Sequence, residues 1–121
     1  LVAIPEGVIL NYLSRRVNPT PHLNFTPPAL IMFNEQRMLA DFRAHPPDVV
    51  CLVASDTWEY GARHFGQDYG RDLMAWVQEN YGSPQQFGAT PFKGDGRFGI
   101  VLMHRKAPAK RPNLTPGGIG Q

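Results

Sequence analysis

The chain holds a single cysteine, Cys51, in 121 residues. That excludes an internal disulfide framework and a cysteine-based zinc site within one chain. No apolar run approaches the ~20 residues of a membrane-crossing helix, and no stretch has the pattern of a signal peptide. The turn after the first apolar stretch, Pro5-Glu6-Gly7-Val8, has one glycine where a pyrophosphate site wants several. There is no P-loop and no GxSxG nucleophile elbow. His22, His45, His64 and His104 are scattered without metal-ligand spacing. These absences argue against dinucleotide binding, nucleotide hydrolysis, α/β-hydrolase chemistry and a bound metal. The sequence points to no cofactor and no nucleic-acid partner.

What is present suits one globular domain with a real core and long loops. The hydrophobic share is 42%, and 12 glycines and 12 prolines punctuate the chain. The net charge of +2 is uneven: Arg105, Lys106, Lys110 and Arg111 fall in a final stretch with no acid, so the body of the chain is net acidic. We divide the chain into a single α/β domain, residues 1–105, and a basic Pro/Gly-rich C-terminal tail, residues 106–121. The abrupt start at Leu1-Val2-Ala3-Ile4, inside an apparent strand, suggests a domain of a longer protein.

The organising stretch is Asp48-Val49-Val50-Cys51-Leu52-Val53-Ala54-Ser55-Asp56. Six apolar residues without alternation predict a strand covered on both faces, and Pro46-Pro47 stops the helix before it. Val2 to Ile4 reads as a first strand. A helix follows, with Ile9, Tyr12 and Leu13 on one face at i, i+3, i+4 spacing and Arg15-Arg16 in its last turn. His22 to Phe25 reads as a short second strand, and Leu30 to Phe33 fits either helix or strand. Asn34 reads as an N-cap with Glu35 in the first turn, opening a helix that buries Met38, Leu39 and Phe42. Glycines at 61, 66 and 70 argue against a long helix after Trp58. Asp72 through Tyr81 predicts the clearest helix, with Leu73, Trp76, Val77 and Tyr81 as its apolar face, Trp76 and Val77 buried against the sheet, and Gly82 as its left-handed cap. Gln86 to Phe92 and Phe98 to His104 complete a hairpin around Lys93-Gly94-Asp95-Gly96. The alternation predicts a Rossmann-like α/β sandwich of about five strands, mostly parallel, ending in an antiparallel hairpin.

Ligands of open α/β sheets gather beyond the carboxyl ends of the strands. Glu6 follows the first strand there, and Asp56, Glu59 and Tyr60 follow the core strand. With Asn11 they form the candidate acceptor- or partner-binding set. Two carboxylates facing one crevice suit acid–base work or sugar hydroxyls; helix capping or pairing with Arg15, Arg16 or Arg63 is the simpler use.

The wording of the chain adds a resemblance. Ile4-Pro5-Glu6-Gly7-Val8-Ile9-Leu10-Asn11-Tyr12-Leu13-Ser14-Arg15-Arg16, followed by Asn18-Pro19-Thr20-Pro21, resembles a segment just after the last membrane span of bacterial polytopic membrane glycosyltransferases. These are of GT-C type, related to protein O-mannosyltransferases and aminoarabinose transferases. The likeness continues through Pro27-Pro28, the Asn34 to Phe42 helix, His45-Pro46-Pro47-Asp48, Asp56-Thr57, Glu59-Tyr60-Gly61, Phe65-Gly66, Asp68-Tyr69-Gly70 and Arg97-Phe98-Gly99-Ile100. The resemblance implies a parent that moves a sugar from a polyprenyl-phosphate carrier to an extracytoplasmic acceptor. Its catalytic acid would lie in the membrane part, so no catalytic residue carries over to this chain. The chain would be a periplasmic accessory domain, with the membrane-embedded part of the same polypeptide as partner and a glycan or protein acceptor nearby. The alternatives are a free-standing small α/β enzyme using Glu6 and Asp56, and a ligand-free protein-interaction module.

Overall fold

The computed structural model describes residues 1–54, 58–92 and 98–106. The turn predicted at Lys93-Gly94-Asp95-Gly96 and the tail beyond Lys106 lie outside the described residues. In chain order the elements are β1 (Val2–Ile4), α1 (Val8–Ser14), α2 (Pro27–Phe33), α3 (Glu35–Ala44), β2 (Val49–Val53), a 3-10 turn at Trp58–Tyr60, α4 (Arg71–Asn80), β3 (Tyr81–Gly88) and β4 (Gly99–Arg105). The strands form one sheet in the order β1-β2-β4-β3.

The class is α/β, but the sheet is not the five-stranded, mostly parallel Rossmann-like sandwich expected from the alternation. Among the described residues it has four strands, and only β1 and β2 run parallel. β4 is antiparallel to both β2 and β3. The missing strand is the one expected at His22 to Phe25. Asparagine turns hold that segment instead: Asn18 Oδ1 accepts from the Thr20 amide and hydroxyl, and Asn24 Oδ1 does the same for Thr26. Only a single bridge, Glu6 to Asn24, ties it to the β1 side. Leu30 to Phe33 resolves as helix, because Pro27-Pro28 starts α2 where its first amides need no partner. Two helices in succession then leave no strand between β1 and β2.

β2 is the strand its composition promised. It pairs with β1 on one edge (Ala3 opposite Cys51) and with β4 on the other (Cys51 opposite Leu102). Val50 and Leu52 face a large core shared with Met38, Leu39 and Phe42 of α3 and Leu73, Met74 and Val77 of α4. Cys51 and Val53 face a second, smaller cluster with Ala3, closed by Leu10 of α1 and by Ile100 and Leu102. An aromatic run crosses the larger core. Phe25 lies 5.6 Å from Phe42, Phe42 stacks on Trp76 at 5.5 Å, and Trp76 lies 5.5 Å from Tyr81. Trp76 is half-buried rather than fully buried, while Val77 is fully buried as expected.

Helix α3 begins as the sequence suggests: Asn34 Oδ1 accepts from the amides of Gln36 and Arg37. Its first residue serves a second helix, because Glu35 Oε2 accepts from the Leu73 amide at 2.9 Å and so caps α4 from outside. Gly70 precedes α4 with φ 65°, and a Cβ there would lie 2.5 Å from the Phe65 ring, so only glycine fits.

The end of α4 departs from expectation. Tyr81, not Gly82, closes it, in extended conformation, and β3 starts at once. Pro84 sits inside this strand. It is tolerated because β3 is the sheet edge and its pairing shifts between Gly82 and Gln85. The Tyr81 ring is buried and its hydroxyl donates to the Pro47 carbonyl, which anchors the end of α4 to the turn before β2.

Two substitutions test this framework. Tyr81→Phe leaves the Pro47 carbonyl without its donor and should cost about 1–3 kcal/mol. Glu35→Ala should cost about 1 kcal/mol by uncapping α4. Chemical denaturation of each variant measures both, and losses below about 0.5 kcal/mol would contradict these roles.

Candidate functional site

Parallel pairing brings the carboxyl ends of β1 and β2 to one sheet edge. Glu6 leaves β1 there. Gly7 sits over the end of β2: a Cβ on it would lie 3.0 Å from Ala3 Cβ and 3.5 Å from a Val53 methyl, and its φ of 153° suits glycine. Glu59 and Tyr60 lie on the 3-10 turn that follows β2. Glu6, Glu59 and Tyr60 are all exposed, and among the described residues no hydrogen bond joins Glu6 to Glu59 or Tyr60. Asp56 lies outside the described residues. The free-enzyme reading, which pairs Glu6 with Asp56, therefore has one member placed.

Asn11 is engaged elsewhere. Its Nδ2 donates to the Leu1 carbonyl at 2.6 Å and to the Arg16 carbonyl at 3.0 Å. Leu1 is at the amino end of β1, so the Asn11 side chain serves the opposite edge of the sheet from Glu6. It pins α1 against β1 and closes the turn after the helix.

α1 itself holds the largest surprise. The face carrying Ile9, Tyr12 and Leu13 is turned to solvent. No residue of α1 is buried, and Val8 (54% exposed), Ile9 (58%), Tyr12 (78%) and Leu13 (69%) stand outward. Periodicity had found a real face but could not say what covers it. The inner side of α1 is held instead by Leu10, packed on the Cys51 cluster, and by Asn11. Ser14 hydroxyl donates back to the Leu10 carbonyl at 2.6 Å, and the helix ends at Arg15 in left-handed conformation, φ 57°. Arg15 and Arg16 thus lie just past the helix rather than in its last turn. Val17 (81% exposed) and Leu23 (56%) extend the apolar surface beyond it.

Asn11, Tyr12, Leu13, Arg15, Arg16, Val17 and Leu23 help line a shallow hollow of about 930 Å³. No acid is among its lining residues. On the inner side of α1 a second hollow of about 390 Å³ runs between Leu10, Leu13, Val49, Cys51, Ile100 and Leu102.

The segment after α1 is well anchored. His22 is buried, with Nε2 2.7 Å from Asp41 Oδ2 and its ring edge-on to Phe33 and Phe42. Asn18 Nδ2 donates to the His22 carbonyl at 2.7 Å. This histidine carries structure: it clamps the loop to α3. Among the described residues no group of three or more His, Cys, Asp or Glu is arranged to hold a metal ion.

Comparison with protein-family models, with curated proteins and with solved structures found no match.

Two buried groups give the chain an alkaline limit. Burial pushes the Cys51 thiol up from 9.0 to about 11. Burial also pushes the Tyr81 phenol up from 10.0 to about 12, opposed by Arg105 and helped by Asp48. Both groups stay protonated in the folded chain at pH values where the unfolded chain has lost the proton. Their contribution is complete below about pH 9 and falls as pH rises towards 12. Denaturant unfolding across that range should show the decline. Cys51→Ala should move its onset up towards the tyrosine's 10.0, and the native thiol should resist alkylation at neutral pH. Stability that stays flat over this range would contradict the burial of both groups.

Proposed function

We propose that this chain is a non-catalytic accessory domain of a membrane glycosyltransferase that moves a sugar from a polyprenyl-phosphate carrier to an extracytoplasmic acceptor. Its partner is the membrane-embedded part of the same polypeptide, and its place is the periplasmic side of the inner membrane. The observation that carries this reading is the outward apolar face of α1. Four large apolar side chains on one seven-residue helix, each more than half exposed, make a docking surface rather than a catalytic one. The order of motifs from Ile4 to Ile100 supports the affiliation. Glu6 after β1, and Glu59 and Tyr60 on the turn that follows β2 in the chain, are exposed and available to an acceptor.

The test uses the full-length transferase. Ile9→Ser with Leu13→Ser should lower sugar transfer several-fold. In the isolated chain the same pair should shift stability by no more than about 0.5 kcal/mol per site, because neither side chain is buried. A run of about 20 apolar residues should also be encoded upstream of Leu1. Unchanged transfer, or turnover of a glycoside by the isolated chain, would overturn the reading.

A further inference from the structure

We infer that the outer face of α1, with Arg15 and Arg16, seats on the surface of an anionic phospholipid bilayer. The inference deepens the proposed function and rests on it for the presence of a bilayer beside the domain.

Three observations converge. The face is preformed, since Leu10 and Asn11 lock the inner side of α1 to the sheet and leave Val8, Ile9 and Tyr12 outward, with Leu13 exposed at the rim of both hollows. The surface continues through Val17 and Leu23, on a loop held by Asn18 and His22. Its charge has one sign: Arg15 and Arg16 border the hollow, and no carboxylate lines it. The nearest acid in sequence, Glu6, precedes the other end of the helix, about 10 Å away at 1.5 Å per residue. An anionic surface therefore favours the arginine end and repels the opposite one, which fixes a tilt.

Lipid suits this combination well. Arginine stems lie along apolar surface while their guanidinium groups reach headgroup phosphates. Tyr12, with an apolar ring and a polar tip, is the side chain that interfaces favour. Apolar side chains enter the headgroup boundary without needing shaped pockets. A second copy of the chain fits less well, because a two-fold contact through this face would bring four unpaired arginines together.

The experiment is co-sedimentation of the chain with vesicles of phosphatidylcholine alone and of phosphatidylcholine mixed with phosphatidylglycerol. Binding should favour the anionic vesicles and weaken with salt. Arg15→Gln and Arg16→Gln should each weaken it about fivefold, and Ile9→Ser with Leu13→Ser should weaken it further. Tyr12→Cys labelled with a polarity-sensitive dye should blue-shift on anionic vesicles; Cys51, being buried, leaves that label unique. Melting curves report folding, and if the serine pair melts early, Tyr12→Ser at the 78% exposed position takes its place.

Absence of binding, or a dye that does not shift, overturns the inference. So does binding that survives loss of both arginines, which would assign the attraction to the basic tail. If vesicle binding is absent yet the serine pair still lowers transfer in the full-length protein, the face docks on protein. The lipid inference then falls and the accessory-domain reading stands. If vesicle binding holds and transfer is unaffected, the accessory-domain reading is the one that falls.

Discussion

β2 is constrained on every side at once. Its two edges are paired, in opposite senses, by β1 and β4, and both of its faces are packed. A strand so placed has no direction in which a polar side chain meets water, so Val49 through Val53 must all be apolar. The polar residues sit just outside. Asp48 is exposed, and its carbonyl accepts from the Arg105 amide to end the β4 ladder. Because β2 fixes the register of both neighbours, the positions of the Glu6 turn, of α1 and of the closing hairpin depend on it.

The two faces of β2 are covered unequally. α3 and α4, with Leu30 of α2 and an aromatic run from Phe25 to Tyr81, seal the first face. Among the described residues the second face has α1 alone, seated through Leu10. Over β4 and β3 that layer thins, so Ile100 and Leu102 are only partly buried and Phe87 is 55% exposed. A thick side carries the stability and a thin side carries the exposed apolar surface. The free edge at β3 is protected by its own irregularity, with Ser83 at φ 51°, Pro84 and a register shift that together make it a poor template for another strand.

Much of this was legible because local signals and burial agreed. The β-branched run after Pro46-Pro47, the Asn34 cap and the Leu73-Val77 stripe each say the same thing at both levels. The failures come where one local pattern serves two physical ends. Gly82 and Pro84 read as a stop, yet an edge strand with a bulge accepts both, so β3 starts immediately after α4. The sequence has no means of showing that Glu35 caps a helix 38 residues away. Its position after β1 groups Asn11 with the carboxyl-edge residues. A helix that folds back along its strand carries its second turn towards the strand's beginning, and there the amide meets Leu1. The stripe of α1 is the most instructive case: a period of 3.6 shows that a face exists, not whether the chain itself covers it.

The same distinction weighs the two candidate surfaces against each other. Acid–base catalysis needs two carboxylates in environments that differ, one in a polar setting and one desolvated. Glu6 and Glu59 are both exposed, and Asp56, the other carboxylate of the free-enzyme reading, lies outside the described residues. Exposed apolar surface is another matter, because leaving it in water forgoes about 25 cal/mol per Å² that burial would return. Sequences rarely concentrate that loss on one short helix, pin the helix with a dedicated asparagine and border it with two arginines. The carboxyl edge is what any open α/β sheet presents, whereas the exposed apolar face of α1 is particular to this chain, and the proposed docking accounts for it.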